Sequence, residues 1–125
     1  MTGVQTCALP ILNTDMANTF GRKASRSVGT SLTAIGSYTV AAATTTTVIG
    51  LSVANISGAT IEVDVTHNDG TNDTYLIKGA PVLPGGSLVL VGGDQKLVLT
   101  TNDSVKVKSN TASSADAFMS ILELT

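Results

Sequence analysis

The sequence is short of the residues that most chemistry requires. It has no tryptophan, one histidine (His67), one cysteine (Cys7) and three prolines. Charged residues make up 13% of the 125, and seven basic against nine acidic side chains leave a formal net charge of -2. That balance provides no basic footprint for nucleic acid. A lone cysteine excludes a disulfide within the chain. One histidine without a second cysteine cannot build a zinc site of the usual kind. No apolar run approaches the roughly 18 residues of a membrane-spanning helix, so no membrane partner is expected. Neither GxxxxGK[ST] nor GxGxxG nor GxSxG occurs. We therefore expect no nucleotide cofactor and no serine hydrolase elbow.

What the sequence has in excess is threonine, serine, alanine, glycine and valine, a composition that favours strands over helices. The apolar residues alternate along "SLTAIGSYTV" (31–40), "TTTTVIGLSVAN" (44–55) and "ATIEVDVTH" (59–67). In the last of these Ile61, Val63 and Val65 share one face, and Glu62, Asp64 and Thr66 the other, as in a half-buried antiparallel strand. "NDGTND" (68–73) follows, and Asp-Gly between two strands predicts a hairpin with "TYLIKGAPV" (74–82). Pro81 and Pro84 are expected to end that strand. "SLVLV" (87–91) and "KLVLT" (96–100) read as two strands joined by the turn "GGDQ" (92–95), and "NDSVKVKSN" (102–110) as another. "DAFMSILEL" (116–124) alternates as a strand, although its propensities would also allow a short helix. About eight strands with frequent turns predict an all-β antiparallel sandwich, jelly-roll-like, over residues 31–125. The glycine pairs Gly85-Gly86 and Gly92-Gly93 then belong to turns and not to a phosphate loop, because no helix follows either pair.

The N-terminal segment stands apart. Thr2–Ile11 resembles the forward translation of a sequencing-library adapter read from a metagenomic contig. Residues 1–15 are accordingly expected to be an artefactual or untranslated leader, with the native start at Met16 in "MANTF". The native chain would then contain no cysteine. Residues 16–30 are polar and carry Arg22, Lys23 and Arg26, and read as a flexible basic arm. Such an arm could dock on an acidic neighbour or a phosphate.

Candidate sites are sparse. His67 lies where a strand enters a loop and reads as a surface residue. Asp69, Asn72 and Asp73 could supply some of the about six to eight oxygens that calcium takes, but Val65 breaks the EF-hand template. Glu62 and Asp64 are a carboxylate pair on one strand face without an aromatic platform for a sugar. Tyr38 and Tyr75 are the candidates for stacking a glycan. The more informative feature is that several strands are apolar on both faces, with Leu88 and Leu90 opposite Val89 and Val91, and Met119 and Ile121 opposite Phe118 and Leu122. A second apolar face requires a cover. Leu88, Val89, Leu90, Val91, Met119 and Ile121 are therefore the candidate interface of a homo-oligomer, expected as a homotrimer.

At "TVIGLSVAN", "YLIKGAPVLPGGSLVLVGGDQKLVL", "DSVKVKS" and "SSADAFMSILELT" the sequence resembles small virion structural proteins of tailed phages, marine ones in particular. The resemblance spans about Ser27 to Thr125. It implies a non-enzymatic virion component: a head decoration protein, a fibre or a tail-associated module. Its partners would be copies of itself and other virion proteins, with Arg22, Lys23 and Arg26 tethering it to an acidic capsid surface. It carries over no catalytic, metal or cofactor residue. The alternative reading is a carbohydrate- or receptor-binding sandwich module that takes a glycan of the host surface.

Overall fold

The computed structural model describes residues 18–92 and 96–125. The expected leader with Cys7, the start at Met16, and Gly93, Asp94 and Gln95 lie outside the described residues. Nine strands follow in order: β1 (Asn18–Val28), β2 (Thr33–Ala34), β3 (Thr45–Asn55), β4 (Ile61–Asn68), β5 (Asp73–Val82), β6 (Ser87–Val91), β7 (Leu97–Leu99), β8 (Ser104–Ser109) and β9 (Ala115–Leu124). They form two antiparallel sheets. One runs β1-β9-β3-β6, with β7 also paired to β3, and the other runs β2-β8-β4-β5.

The pairings nest. β4 pairs with β5, β3 with β6 and β7, β2 with β8, and β1 with β9. One long hairpin of four strand pairs, folded over on itself, has this connectivity, and it is the jelly-roll sandwich. β6 and β7 together occupy a single strand position in it. Both run antiparallel to β3, β6 against Leu51–Ala54 and β7 against Thr46–Val48. "SLVLV" and "KLVLT" therefore lie end to end along β3, each paired with it.

The core fills the space between the sheets. Val48, Leu51, Val53, Met119 and Ile121 project from one sheet, and Ile61, Val63, Val65, Val105 and Val107 from the other, all almost fully buried. Burying each such side chain contributes about 1.5–3 kcal/mol. Val48 and Leu51 are an odd number of residues apart and would face opposite ways in a regular strand. Ile49 is the extra residue of a bulge against β9, between the pairs Val48–Ile121 and Gly50–Ser120, and so both neighbours reach the core.

Three local expectations need correction. "SLTAIGSYTV" supplies only the two residues of β2 before a 3-10 turn at Ile35–Ser37, where Gly36 and Ser37 both have positive φ and break the extended run. Residues 18–28 of the expected flexible arm form β1, hydrogen-bonded along β9 from Asn18–Leu124 to Ser25–Ala117. Backbone pairing recruits this strand, since all its side chains but Val28 are exposed or half-buried. Pro81 does not end β5. It pairs with Glu62 inside the strand, which an edge position allows because proline's missing N–H there faces no neighbour.

Candidate assembly surface

The residues predicted to carry chemistry are absorbed by structure. His67 Nε2 donates to Asp103 Oδ2 at 2.9 Å, and the same oxygen accepts the Thr100 backbone N–H at 2.9 Å. The arrangement ties β4 to the turn before β8. Burial raises the Asp103 carboxyl, but the bonds from Thr100 and His67 outweigh it and hold its pKa below the usual carboxylate range. Asp69 Oδ1 accepts the backbone N–H groups of Thr71 and Asn72, which lowers its pKa and closes the β4–β5 turn. Asp73 Oδ1 accepts from Thr66 and Asn68. The calcium candidates thus satisfy backbone and neighbours, and no group of three His, Cys, Asp or Glu among the described residues is arranged to hold a metal. Asp64 Oδ1 accepts the Gly79 N–H, and its other oxygen lies 3.7 Å from Lys108 Nζ.

The two tyrosines separate. Tyr38 is buried; its hydroxyl donates to Glu123 Oε2 and meets Thr46 Oγ1, both at 2.7 Å. Burial and, after it, the Glu123 carboxylate push its pKa up to about 12 against the bond from Thr46. Tyr38 cannot stack a glycan from there. Tyr75 is 45% exposed, with Lys78 Nζ 4.6 Å from its ring centre.

The interface candidates also divide. Met119 and Ile121 are in the core, and so is Val91, so these three are not available to a partner. Leu88 and Leu90 are half-buried and pack against the core from the β6 edge. They line an apolar cleft of about 260 Å³ with Leu76, Ile77 and Leu97, where β5 and β6 end the two sheets. Of the six, only Val89 faces outward, at 66% exposure. The basic triplet is split as well. Arg22 is exposed beside Ser120, Lys23 turns over the Tyr38 ring at 5.0 Å, and Arg26 sits in the bulge near the end of β1.

The apolar surface lies elsewhere on the β1-β9-β3-β6/β7 sheet. Its outer face carries two cross-strand rows that each span all four strand positions. One is Phe20–Leu122–Thr47–Val98 and the other Ala24–Phe118–Ser52–Val89. Phe20 is 74% exposed, Val98 57% and Phe118 44%. With Val89 and Leu124, these make five of the nine exposed large hydrophobics among the described residues. The opposite outer face differs. There Asp64 opposes Lys108, Thr66 opposes Lys106, and Glu62 lies beside Pro81. One outer face carries the charged pairs with Tyr75 beside them, and the other carries most of the exposed large hydrophobics, interleaved with Arg22, Ser120, Thr47 and Ser52.

A signal for the correct face was present in the sequence. On β9, Ala115, Ala117, Met119 and Ile121 form an apolar run that reaches a polar member only at Glu123 near the strand's end, whereas Phe118 and Leu122 alternate with Asp116 and Ser120. The set with the longer unbroken apolar run is the one that enters the core.

The sequence matches no protein-family model and no curated protein. The fold does have a solved counterpart. A chain of the acidic stable capsid structure of Helicobacter pylori bacteriophage KHP30 superposes with a TM-score of 0.52 at 11% identity, over 87% of this chain and 88% of that one. This chain has the fold of a phage capsid chain. A chain of Bacillus endospore appendages, a family of disulfide-linked pili, aligns over 99% of this chain and 98% of its own at 13% identity and a TM-score of 0.45.

Proposed function

We propose that this chain is a non-enzymatic structural protein of a phage virion, a jelly-roll module that self-associates on the particle. The observation that carries the reading is the unequal pair of outer faces. Single exposed hydrophobics are ordinary, but here five of the exposed large hydrophobics gather on one exterior, in and beside two cross-strand rows. The fold shared with a phage capsid chain supports the location, as does the resemblance of residues 27–125 to small virion proteins. Fold alone does not fix function, and jelly rolls serve lectins as well as capsids. The outer surface favours assembly over a glycan site, because Tyr38 is buried and Tyr75 stands without a second aromatic beside it. The position on the particle follows the same reading: a surface component such as a decoration or tail-associated module, with the polar sheet outward.

The test is made on particles. Virions purified on a density gradient and treated with protease-free nuclease are expected to contain peptides of this chain and to bind an antibody raised against it. Virions that yield the other structural proteins encoded beside this gene but lack this one would overturn the proposal.

A further inference from the structure

A polar cleft opens on the outer face of the β2-β8-β4-β5 sheet, where β2 stops short. β2 pairs with β8 only through Thr33–Val107 and Ala34–Lys106. The chain then leaves the sheet in the 3-10 turn at Ile35–Ser37 and returns at Val40, whose backbone bonds those of Asn102 and Asp103. Ser104 pairs with Asn68 of β4 and has no β2 residue on its other side. The detour leaves a cleft of about 460 Å³, floored by Asn68, Ser104 and Lys106 and framed by Thr39, Asn102 and the β4–β5 turn. That size falls within the roughly 300–1,000 Å³ of small-ligand clefts. We infer that it binds a hydroxyl-rich monocarboxylate of the sugar-acid class, with the carboxylate on Lys106 and Ser104 and the hydroxyls on Asn102 and Asp69. The cleft lies on the exterior opposite the apolar rows, so it stays open when those rows are covered.

The floor holds two donors without partners. Ser104 is only 4% exposed, yet its Oγ makes no hydrogen bond among the described residues. Buried hydroxyls are nearly always paired, because leaving one unsatisfied costs its full desolvation penalty. Asn68 beside it is turned elsewhere: its Oδ1 accepts the Gly70 N–H at 2.8 Å, and its Nδ2 donates to Asp73 at 2.9 Å. Lys106 stands two residues from Ser104 on the same face of β8 and forms no ion pair among the described residues, whereas Lys108 lies 3.7 Å from Asp64. The β2 neighbour of Lys106 is Ala34, which is too short to engage it. An ammonium and a buried hydroxyl set together in this way suit one anionic oxygen group, whose bonds to them are charge-assisted.

The rim selects the rest of the ligand. The Asn102 amide and the Thr39 hydroxyl both donate and accept. Asp69 spends Oδ1 on the N–H groups of Thr71 and Asn72 and keeps Oδ2 for the cleft. Hydroxyl groups satisfy such a rim, since each donates to a carboxylate and exchanges bonds with an amide. A second negative charge would meet Asp69. A phosphate ester, with about -1.5 to -2 of charge against a single lysine, is therefore the poorer match. No aromatic side chain lines the cleft, so hydrogen bonds and one charge do the recognition and ring stacking takes no part.

The experiment is ligand-observed saturation-transfer NMR on the full chain, with glucuronate as the probe and glucose and inorganic phosphate beside it. Glucuronate is expected to bind saturably, about tenfold or more weakly in Lys106→Gln, and with affinity retained in Lys106→Arg. Ser104→Ala should weaken binding several-fold while the Tm of the unliganded chain stays level or rises, because an unpaired buried hydroxyl has been removed. A serine with a structural role would lower Tm instead, and that result overturns its place in the site. Glucose binding as well as glucuronate overturns the part given to the carboxylate, and phosphate binding more tightly overturns the ligand class. Absence of saturable glucuronate binding, or binding indifferent to both Lys106→Gln and Ser104→Ala, overturns the site. Should Lys106→Gln lose its β circular dichroism, Ser104→Ala decides. An oligogalacturonate distinguishes the source: tighter binding than the monomer assigns the site to a surface polysaccharide, equal binding to a free sugar acid, and both uphold the cleft. Virion membership and the apolar surface are decided separately, by the particles and by light scattering.

Discussion

Asn55 closes the end of the sandwich, and its replacement tests the account of how the sheets are joined. Its buried side chain makes four bonds. Nδ2 donates to the carbonyls of Ala59 and Val82, both at 2.8 Å, and Oδ1 accepts the Ser57 N–H at 2.8 Å and the Ser57 hydroxyl at 2.7 Å. β3 belongs to one sheet and Val82 to the other, so the amide bridges them. In Asn55→Ala the Ala59 carbonyl keeps the Ser57 hydroxyl as a partner, but the Val82 carbonyl loses its side-chain donor. Net loss of about 1 kcal/mol per bond, with about 1–3 kcal/mol for a buried group left unsatisfied, gives about 3–5 kcal/mol. For a domain of this size that lowers Tm by about 10–20 °C. Asn55→Asp keeps the shape but sets a carboxylate oxygen against two carbonyls. It should be less stable than Asn55→Ala at neutral pH. Protonation restores one donor, so its folded-state pKa rises above the unfolded value of about 3.9. The variant's stability is then recovered below about pH 4 and lost as pH rises through the folded pKa. Urea unfolding followed by circular dichroism at fixed protein concentration measures both variants across pH. A loss under 1 kcal/mol in Asn55→Ala, or an Asn55→Asp curve parallel to wild type, would refute the reasoning.

Three other outcomes follow from the geometry. The Asp103 pKa is held low in the fold, so its stabilisation is present above the unfolded pKa of about 3.9 and fades as pH falls through the folded value; Asp103→Asn should flatten the acid limb of a stability–pH curve that wild type shows. Tyr38 should ionise only near pH 12, read by ultraviolet titration in a Tyr75→Phe background. Because that pKa is raised, its stabilisation is complete below about pH 10 and is lost through the folded value, and Tyr38→Phe should cost about 1–2 kcal/mol in chemical unfolding. Met119 is fully buried, so Met119→Ala should cost about 2–5 kcal/mol without changing the oligomer seen by light scattering, the reverse of what an interface methionine would do.

Fold class was legible because burial imposes a period on the sequence. The alternation of Ile61, Val63 and Val65 and the Asp-Gly of the following turn mark β4 and its hairpin with β5 without further information, and the whole second half of the chain follows the same logic. β1 was not legible, since "GRKASRS" offers no apolar alternation and is a strand only because β9 presents free backbone groups to it. The candidate surface was half legible. That β9 is greasy on both sides can be read directly, but Met119 and Ile121 were placed on the wrong one.

The sequence by itself determined that strands must form, where most of them turn, and that more apolar surface exists than one core can hide. Tertiary structure decided which side of each strand meets the core. A single extra residue at Ile49 inverts the facing of everything after it, and such a phase shift is set by register with β9, a partner some seventy residues away along the chain. It also decided that β6 and β7 share one place beside β3, because the nested pairing of a rolled hairpin fixes neighbours through hydrogen bonds that no local pattern encodes.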